Sequence, residues 1–310
     1  MKIAIGYDGS DHAKAAIDDL CRSGLPDESQ ALVISVGETL LPVPTSGVHT
    51  DPHLSRRVSA TLAQVQAQAT QALEDARALA EEGLQRTRAR FPRWEVRAEA
   101  IVGSPPVALM TAARDWGADL LVVAAHGRSA IRRAFLGSVS KQVASEASES
   151  VLVSRHVVER GDTPIRIVLG VDQSDAAVAA VNAVRQRAWP TGTEIRILAV
   201  DDTMAAAGAA KLASTAATWV NESNTAHIEE LTDVVQHTRM ALSTESLELS
   251  TDVLKGSPQR VLCDEAHKFS ADCIVVGSSS NRGNVGHFRE QSVAVALVTT
   301  APCSVEIVRE

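Results

Sequence analysis

The sequence repeats itself, and that constrains it more than any other feature. KIAIGYDGSDHAKAAIDDL, from Lys2, matches RIVLGVDQSDAAVAAVNAV, from Arg166. In both, an apolar strand ends in Asp, a short turn with Ser follows, and an Ala-rich helix begins; Asp8 answers to Asp172 and Ser10 to Ser174. A second pair of blocks is longer. VGSPPVALMTAARDWGADLLVVAAHG, from Val102, aligns with KGSPQRVLCDEAHKFSADCIVVGSSS, from Lys255. The closing stretches SESVLVSR (Ser148–Arg155) and APCSVEIVR (Ala301–Arg309) agree as well. The offset between copies falls from 164 at the first block to 153 at the second, so the second copy is shorter in its middle. A duplicated domain accounts for all of these matches.

Each copy alternates strands with helices, the pattern of a parallel sheet covered on both sides. The predicted fold class is α/β: two tandem doubly wound, Rossmann-like domains, each a five-stranded parallel sheet with helices on both faces. In the first copy the strands fall near 3–7, 31–36, 94–101, 119–124 and 150–154, and the helices near 11–22, 56–90, 104–116 and 137–147. A chain of 310 residues accommodates two domains of about 150 residues, here 1–158 and 164–310, with a polar linker around His156–Thr163. Ser104-Pro105 reads as a helix start, with Ser as cap and Pro at the first helical position. In the second helix Val58, Leu62, Val65, Ala69, Ala72, Ala76, Leu79 and Gly83 form one stripe, expected to lie on the sheet. Residues 37–55, rich in Pro, Gly and Thr, read as a long loop that either covers a site or meets a partner.

A net charge of −8 and 3% aromatic residues disfavour a protein that coats nucleic acid, which needs clustered basic side chains and stacking platforms. The charge is uneven: residues 1–160 hold 18 basic and 19 acidic side chains, residues 161–310 hold 12 and 19. A polyanion would therefore prefer the first half. Cys21, Cys263, Cys273 and Cys303 form no metal-ligand spacing and read as buried thiols of a reduced compartment. No apolar run is long enough to span a membrane, and the N-terminus reads as a strand rather than a signal peptide. The expectation is a cytoplasmic protein.

Ligands of doubly wound sheets sit beyond the carboxyl ends of the strands, where the strand order reverses. Those ends carry Asp8-Gly9-Ser10 and the segment AAHGRSAIRRAFLGSVSKQV, Ala124 to Val143. Ala124 and Gly127 allow the backbone to approach a ligand closely. Gly137-Ser138-Val139 opens a helix whose unpaired N–H groups favour a phosphate, with the Ser138 hydroxyl both donating to phosphate and capping the helix. Arg128, Arg132 and Arg133 lie between without an acidic neighbour. His126 reads as a loop histidine in contact with solvent or phosphate. A plain reading of Asp8 is a turn residue that caps the first helix. Neither a P-loop nor a dinucleotide-binding glycine fingerprint is present.

The spacing small-x2-Gly-x9-Gly-Ser after the strand LLVVA resembles the ATP-binding signature of the universal stress protein family, Gly-x2-Gly-x9-Gly-(Ser/Thr). The Asp-Gly-Ser turn, the Gly-Ser-Pro helix start and the closing V-L-V strand are also similar to that family. The resemblance implies that Asp8 lies at the adenosine end, that Val36 offers backbone contacts to adenine, that Ala124 and Gly127 line the path from ribose to phosphate, and that Gly137, Ser138 and Val139 hold the phosphates. The implied ligand is the adenine nucleotide ATP, with Mg as its companion ion. Ala124 replaces a family Gly, and its methyl crowds the ribose only if φ is positive. In the second copy Asp172 and Gly277 survive as a weaker site, but Ser280 and Gln291-Ser292 break the pattern, so this copy reads as degenerate. The resemblance further implies that the closing strands, Val151–Val153 and Val305–Val308, pair as an intrachain pseudo-dimer, and it leaves a homodimer of chains open. The expected function is nucleotide binding in stress response or signalling, without catalysis, because no residue is placed to activate water. The alternatives are a nucleotide-free tandem interaction protein and a slow ATPase or self-phosphorylating enzyme using His126 or Ser138.

Overall fold

The structure is a computed structural model describing residues 1–38, 52–127, 136–155, 163–202, 217–279 and 293–310, with the backbone alone for 52–63 and 217–225. The first half runs β1 (Lys2–Gly6), α1 (Asp11–Asp19), β2 (Gln30–Gly37), α2 (Pro52–Arg90), β3 (Glu95–Val102), α3 (Pro105–Trp116), β4 (Leu120–Ala124), α4 (Ser138–Glu146) and β5 (Ser150–Ser154). The second half repeats the order with β6 (Arg166–Gly170), α5 (Asp175–Arg185), β7 (Thr193–Asp201), α6 (Ala217–Leu242), β8 (Leu247–Lys255), α7 (Pro258–Phe269), β9 (Cys273–Ser278), α8 (Val293–Thr300) and β10 (Ser304–Arg309). Helix α2 has 39 residues and α6 has 26, which places the shortening of the second copy in its second crossover. Helix α2 begins at Pro52, so the predicted loop ends earlier than residue 55. Proline fits the first helical turn, where its missing N–H has no partner to lose.

The strands form one sheet in the order β3-β2-β1-β4-β5-β10-β9-β6-β7-β8. Within each half all pairings are parallel, and the order reverses between β1 and β4 and between β6 and β9. The two five-stranded sheets expected from sequence are thus fused into one of ten. The seam is β5 with β10, antiparallel, with Val153 opposite Val305 and Val151 opposite Ile307. Parallel strands covered on both faces read as unbroken apolar runs, as KIAIG and LLVVA do.

One helical layer, α1, α2, α5 and α6, buries Ile17, Leu84, Val184 and Leu231 against one face of the sheet. The other, α3, α4, α7 and α8, buries Leu109, Val143, Leu262 and Leu297 against the opposite face. Each layer crosses the seam without a break. The described part of the α2 stripe behaves as expected: Ala76 and Gly83 are buried and Val65, Ala69, Ala72 and Leu79 half-buried, while the side chains of Val58 and Leu62 lie outside the described residues.

The repeated motifs have local causes. Asp119 Oδ2 accepts the Lys2 N–H at 2.7 Å, and Asp272 Oδ2 accepts the Arg166 N–H at 2.8 Å, so each repeated Asp ties down the start of its first strand. Gly103 (φ 153°) and Gly256 (φ 141°) occupy backbone that other residues rarely adopt. Ser104 stands at the cap position of α3, but its hydroxyl makes no capping hydrogen bond.

The seam is polar at its flanks and symmetric in detail. The Arg155 N–H donates to Ser304 Oγ (3.0 Å) and the Arg309 N–H to Ser150 Oγ (3.1 Å). Arg309 Nη2 donates to the Ala144 carbonyl at the end of α4 (2.7 Å), while Arg155 Nη2 reaches Val298 O near the end of α8 (2.9 Å). Each arginine therefore satisfies a helix C-terminus in the opposite half, where carbonyls lack partners. The ion pair Arg22–Asp272 also joins the halves, and Arg187, held by a buried ion pair to Glu306 within the second half, donates across to Ser23 O at 2.9 Å. None of the four cysteines forms a disulfide; Cys273 and Cys303 are buried as expected, but Cys21 is exposed and Cys263 only half-buried. Burial pushes the Cys273 thiol well above its ordinary value. The linker region 156–162 lies outside the described residues.

Candidate functional site

The reversal between β1 and β4 brings Asp8 and Ala124–Gly127 together at the carboxyl end of the sheet. Asp8 Oδ1 accepts the Ser10 N–H at 3.0 Å, closing a tight Asx turn. Gly9 in this turn has φ 77°. The cap of α1 is Ser10, whose Oγ accepts the Ala13 N–H at 3.1 Å, so the plain reading of Asp8 as the cap does not hold. The other carboxylate oxygen of Asp8 faces Gly127: a Cβ built there would stand 2.8 Å from Asp8 Oδ2. Gly127 does not have a positive φ. Its glycine is required by close approach to a carboxylate, not by a left-handed turn.

Gly137 lies beside the same place. Its N–H donates to Ala125 O at 2.8 Å, and Ser140 Oγ lies 3.0 Å from both Ala125 O and Gly137 O. A Cβ at Gly137 would meet Ala125 O and Ser140 Oγ at 3.3 Å and Gly127 N at 3.8 Å. Gly127 and Gly137 are thereby clamped side by side, although nine residues separate them. Arg128, Arg132 and Arg133 fall between, outside the described residues.

Helix α4 starts with Gly137 as its cap residue (φ −63°, ψ 148°) and has no side-chain capping bond. Ser138 is therefore the first helical residue and not the cap; it is exposed, with Val139 half-buried behind it. The first-turn amides of α4 consequently lack the side-chain acceptor that α1 and α5 possess in Ser10 and Ser174. That leaves an N-terminus suited to an anion. Val36, near the end of β2, pairs in register with Ile101 and packs at the margin of the same apolar cluster as Val139. Ala124 ends β4 opposite Ser154. Among the described residues only Ser270 combines a side chain with positive φ, so Ala124 keeps ordinary strand backbone and its methyl is not forced toward a ligand.

Two residues gain importance that sequence reasoning gave them only in part or not at all. His126 stands in the loop after β4, as expected, but is buried (6% exposed) and not in solvent, and its ring lies 5.0 Å from that of His12, tilted by 39°. His12 belongs to the first turn of α1. Ser140, the buried clamp on Ala125 O, carries no signal beyond a hydroxyl in a helix's first turn.

The second half keeps the Asp turn and the Ser cap on its first helix but differs in exposure and at the strand end. Asp172 is exposed, and its Oδ1 accepts from the Ser174 N–H (2.9 Å) and hydroxyl (2.5 Å). Gly277, the counterpart of Ala124, is packed against the backbone of α5: a Cβ there would lie 2.0 Å from Ala176 O. Its glycine is explained by a helix seated on the strand end, not by ligand approach. Ser280, Gln291 and Ser292 lie outside the described residues. Among the described residues no cluster of His, Cys, Asp and Glu could hold a metal ion, and no helix is long and apolar enough to cross a membrane.

The pattern described as "Universal stress protein family" matches residues 1–155 and again 165–309. A universal stress protein of a Synechocystis species is 27% identical over 161 residues, covering 50% of this chain and 97% of its own. A universal stress protein from Archaeoglobus fulgidus superposes with a TM-score of 0.57 at 17% identity, covering 100% of this chain and 96% of its own. A putative universal stress protein from Pseudomonas aeruginosa gives 0.55 at 12% identity, with 99% and 92% covered. These likenesses concern the fold; the pattern spans nearly the whole sequence, twice. The chain belongs to the universal stress protein family.

Proposed function

We propose that this protein binds one molecule of ATP, or a closely related adenine nucleotide, through its first half, and serves as a cytoplasmic stress-response or signalling protein whose nucleotide occupancy is its output. The observation that carries this reading is the clamp of Gly127 and Gly137 beside Asp8, at an α4 N-terminus whose first-turn amides have no side-chain cap. The residues fit the group. Backbone amides of Ser138 and Val139 and the exposed Ser138 hydroxyl suit phosphates, the Asp8 carboxylate suits ribose hydroxyls, and Val36 suits the adenine edge. The side-chain-free backbone at 127 and 137 admits close approach. Four cysteines without a disulfide support a reducing compartment.

Binding without turnover is part of the proposal. Asp8 and Asp172 sit in different halves and do not form an acid–base pair, and the His126 ring is packed against His12. Titration calorimetry should give one ATP per chain, abolished by Gly127→Glu and unchanged by Asp172→Asn. Two sites, or none, contradict the reading; phosphate release that vanishes in His126→Ala contradicts the absence of turnover.

A further inference from the structure

The two halves are built alike, so each acts as an internal control for the other. Among the positions where they differ at the site are His12 against Ala176 on the first helix, Ala124 against Gly277 at the strand end, and His126 against Ser279 just beyond it. In the second half the α5 backbone rests directly on β9, with Ala176 O only 2.0 Å and Ala177 N 2.7 Å from where a Cβ of residue 277 would be. Real Cβ atoms essentially never come within 3.0 Å of another heavy atom. Ala124 possesses that Cβ, on unstrained backbone, so α1 must stand back from β4 by at least about 1 Å relative to its counterpart. The His12 and His126 rings, with centroids 5.0 Å apart, join the first turn of α1 to the segment between Ala125 and Gly127.

We infer that the His12–His126 ring pair, together with the Ala124 methyl, is a spacer that holds α1 off the end of β4 and keeps the first half's mouth open for the nucleotide. This rests on the proposed nucleotide site and adds positioning residues to it. Three consequences set it apart from the sequence motif. Ala124, where the family pattern has Gly, is a working part of the site and not a defect. Bulk at position 12 matters, and imidazole chemistry does not. The second half is shut by its small residues at 176 and 277, apart from any change in its phosphate loop.

The test compares His12→Ala/Ala124→Gly, which copies the second half's pair, with His12→Phe, which keeps the bulk and removes the titrating ring. Folding of each is checked by circular dichroism. The double variant is expected to lose ATP affinity at least tenfold in calorimetry. His12→Phe should stay within about threefold of the parent, with the same pH dependence of affinity. Undiminished binding by the double variant overturns the inference, and so does a His12→Phe loss as large as that of the double variant. If the parent binds no nucleotide, the proposed function fails but the spacer can still be judged. A crystal structure of the double variant should show α1 moved onto position 124 by about 1 Å, and an unmoved α1 overturns the inference on its own.

Discussion

The Asp8 carboxylate faces Gly127 so closely that a methyl group added to the glycine would stand 2.8 Å from Oδ2. Two segments 119 residues apart in sequence thus define one wall, and the contact tolerates no side chain on one partner. Because φ at Gly127 is ordinary, Gly127→Ala carries no backbone penalty and its whole effect is displacement of the carboxylate or of the loop. We expect a cost in unfolding free energy of about 1 kcal/mol and a loss of nucleotide affinity of tenfold or more. Calorimetry and urea denaturation on the same preparation separate the two; a variant that binds as the parent does would remove Asp8 from the site.

The Arg187–Glu306 pair is buried on both sides, 6% and 2% exposed. Arg187 also donates to Ser23 O at 2.9 Å, in the other half. Removing one partner strands a charge without water. Arg187→Ala should destabilise the chain by about 3–5 kcal/mol, while the paired change Arg187→Met/Glu306→Leu should recover most of that loss. Denaturant midpoints of the single and paired variants check this.

Gly24 has φ 61°, and a Cβ on it would lie 2.6 Å from the Trp189 ring of the other half. The Ala188 N–H donates to Gly24 O at 2.9 Å, so the backbone cannot easily retreat. Gly24→Ala should cost about 1–3 kcal/mol through strain and overpacking. Intrinsic fluorescence of Trp189, read in a chain whose other tryptophans are replaced by Phe, should shift to the red in this variant.

Tyr7 is the only tyrosine of the chain. Burial raises its ionisation above the ordinary 10.0, and its hydrogen bond to Glu82 Oε1 (2.8 Å) adds to the effect. A raised folded value means that this stabilisation is complete below pH 10 and is lost as the pH climbs beyond it. Tyrosinate absorbance should therefore not rise through the usual range but appear together with alkaline unfolding. Tyr7→Phe should flatten the fall of stability above pH 10. The same bond, with Lys14 as a further contribution, lowers the Glu82 carboxyl from 4.5, so its stabilisation holds above that value and declines as the pH drops below it. Glu82 is well exposed, which keeps the acid-side effect small.

The strand–helix alternation and the duplicated architecture were legible because they rest on periodicity and repetition, which a linear text preserves. The glycine spacing was legible for the same reason: Gly127 and Gly137 lie in a single loop-and-helix segment. What stayed hidden were contacts between distant segments. Nothing in the text shows that Asp8 touches Gly127, or that His12 meets His126 across 114 positions. Gly277 misled because a glycine needed for helix packing and one needed for a ligand are the same letter. Asp8 and Ser10 both suit a helix cap, and only geometry shows which one takes it. The start of α2 at Pro52 was within reach, since proline favours the first helical turn; the surrounding Pro, Gly and Thr obscured it.

The β5–β10 seam joins copies that share one backbone, so dilution cannot part them. Separate subunits meeting through such strands would depend on concentration, whereas here the local concentration of one half around the other is fixed by the chain. The two halves therefore always meet in a one-to-one ratio, whatever the concentration of the chain.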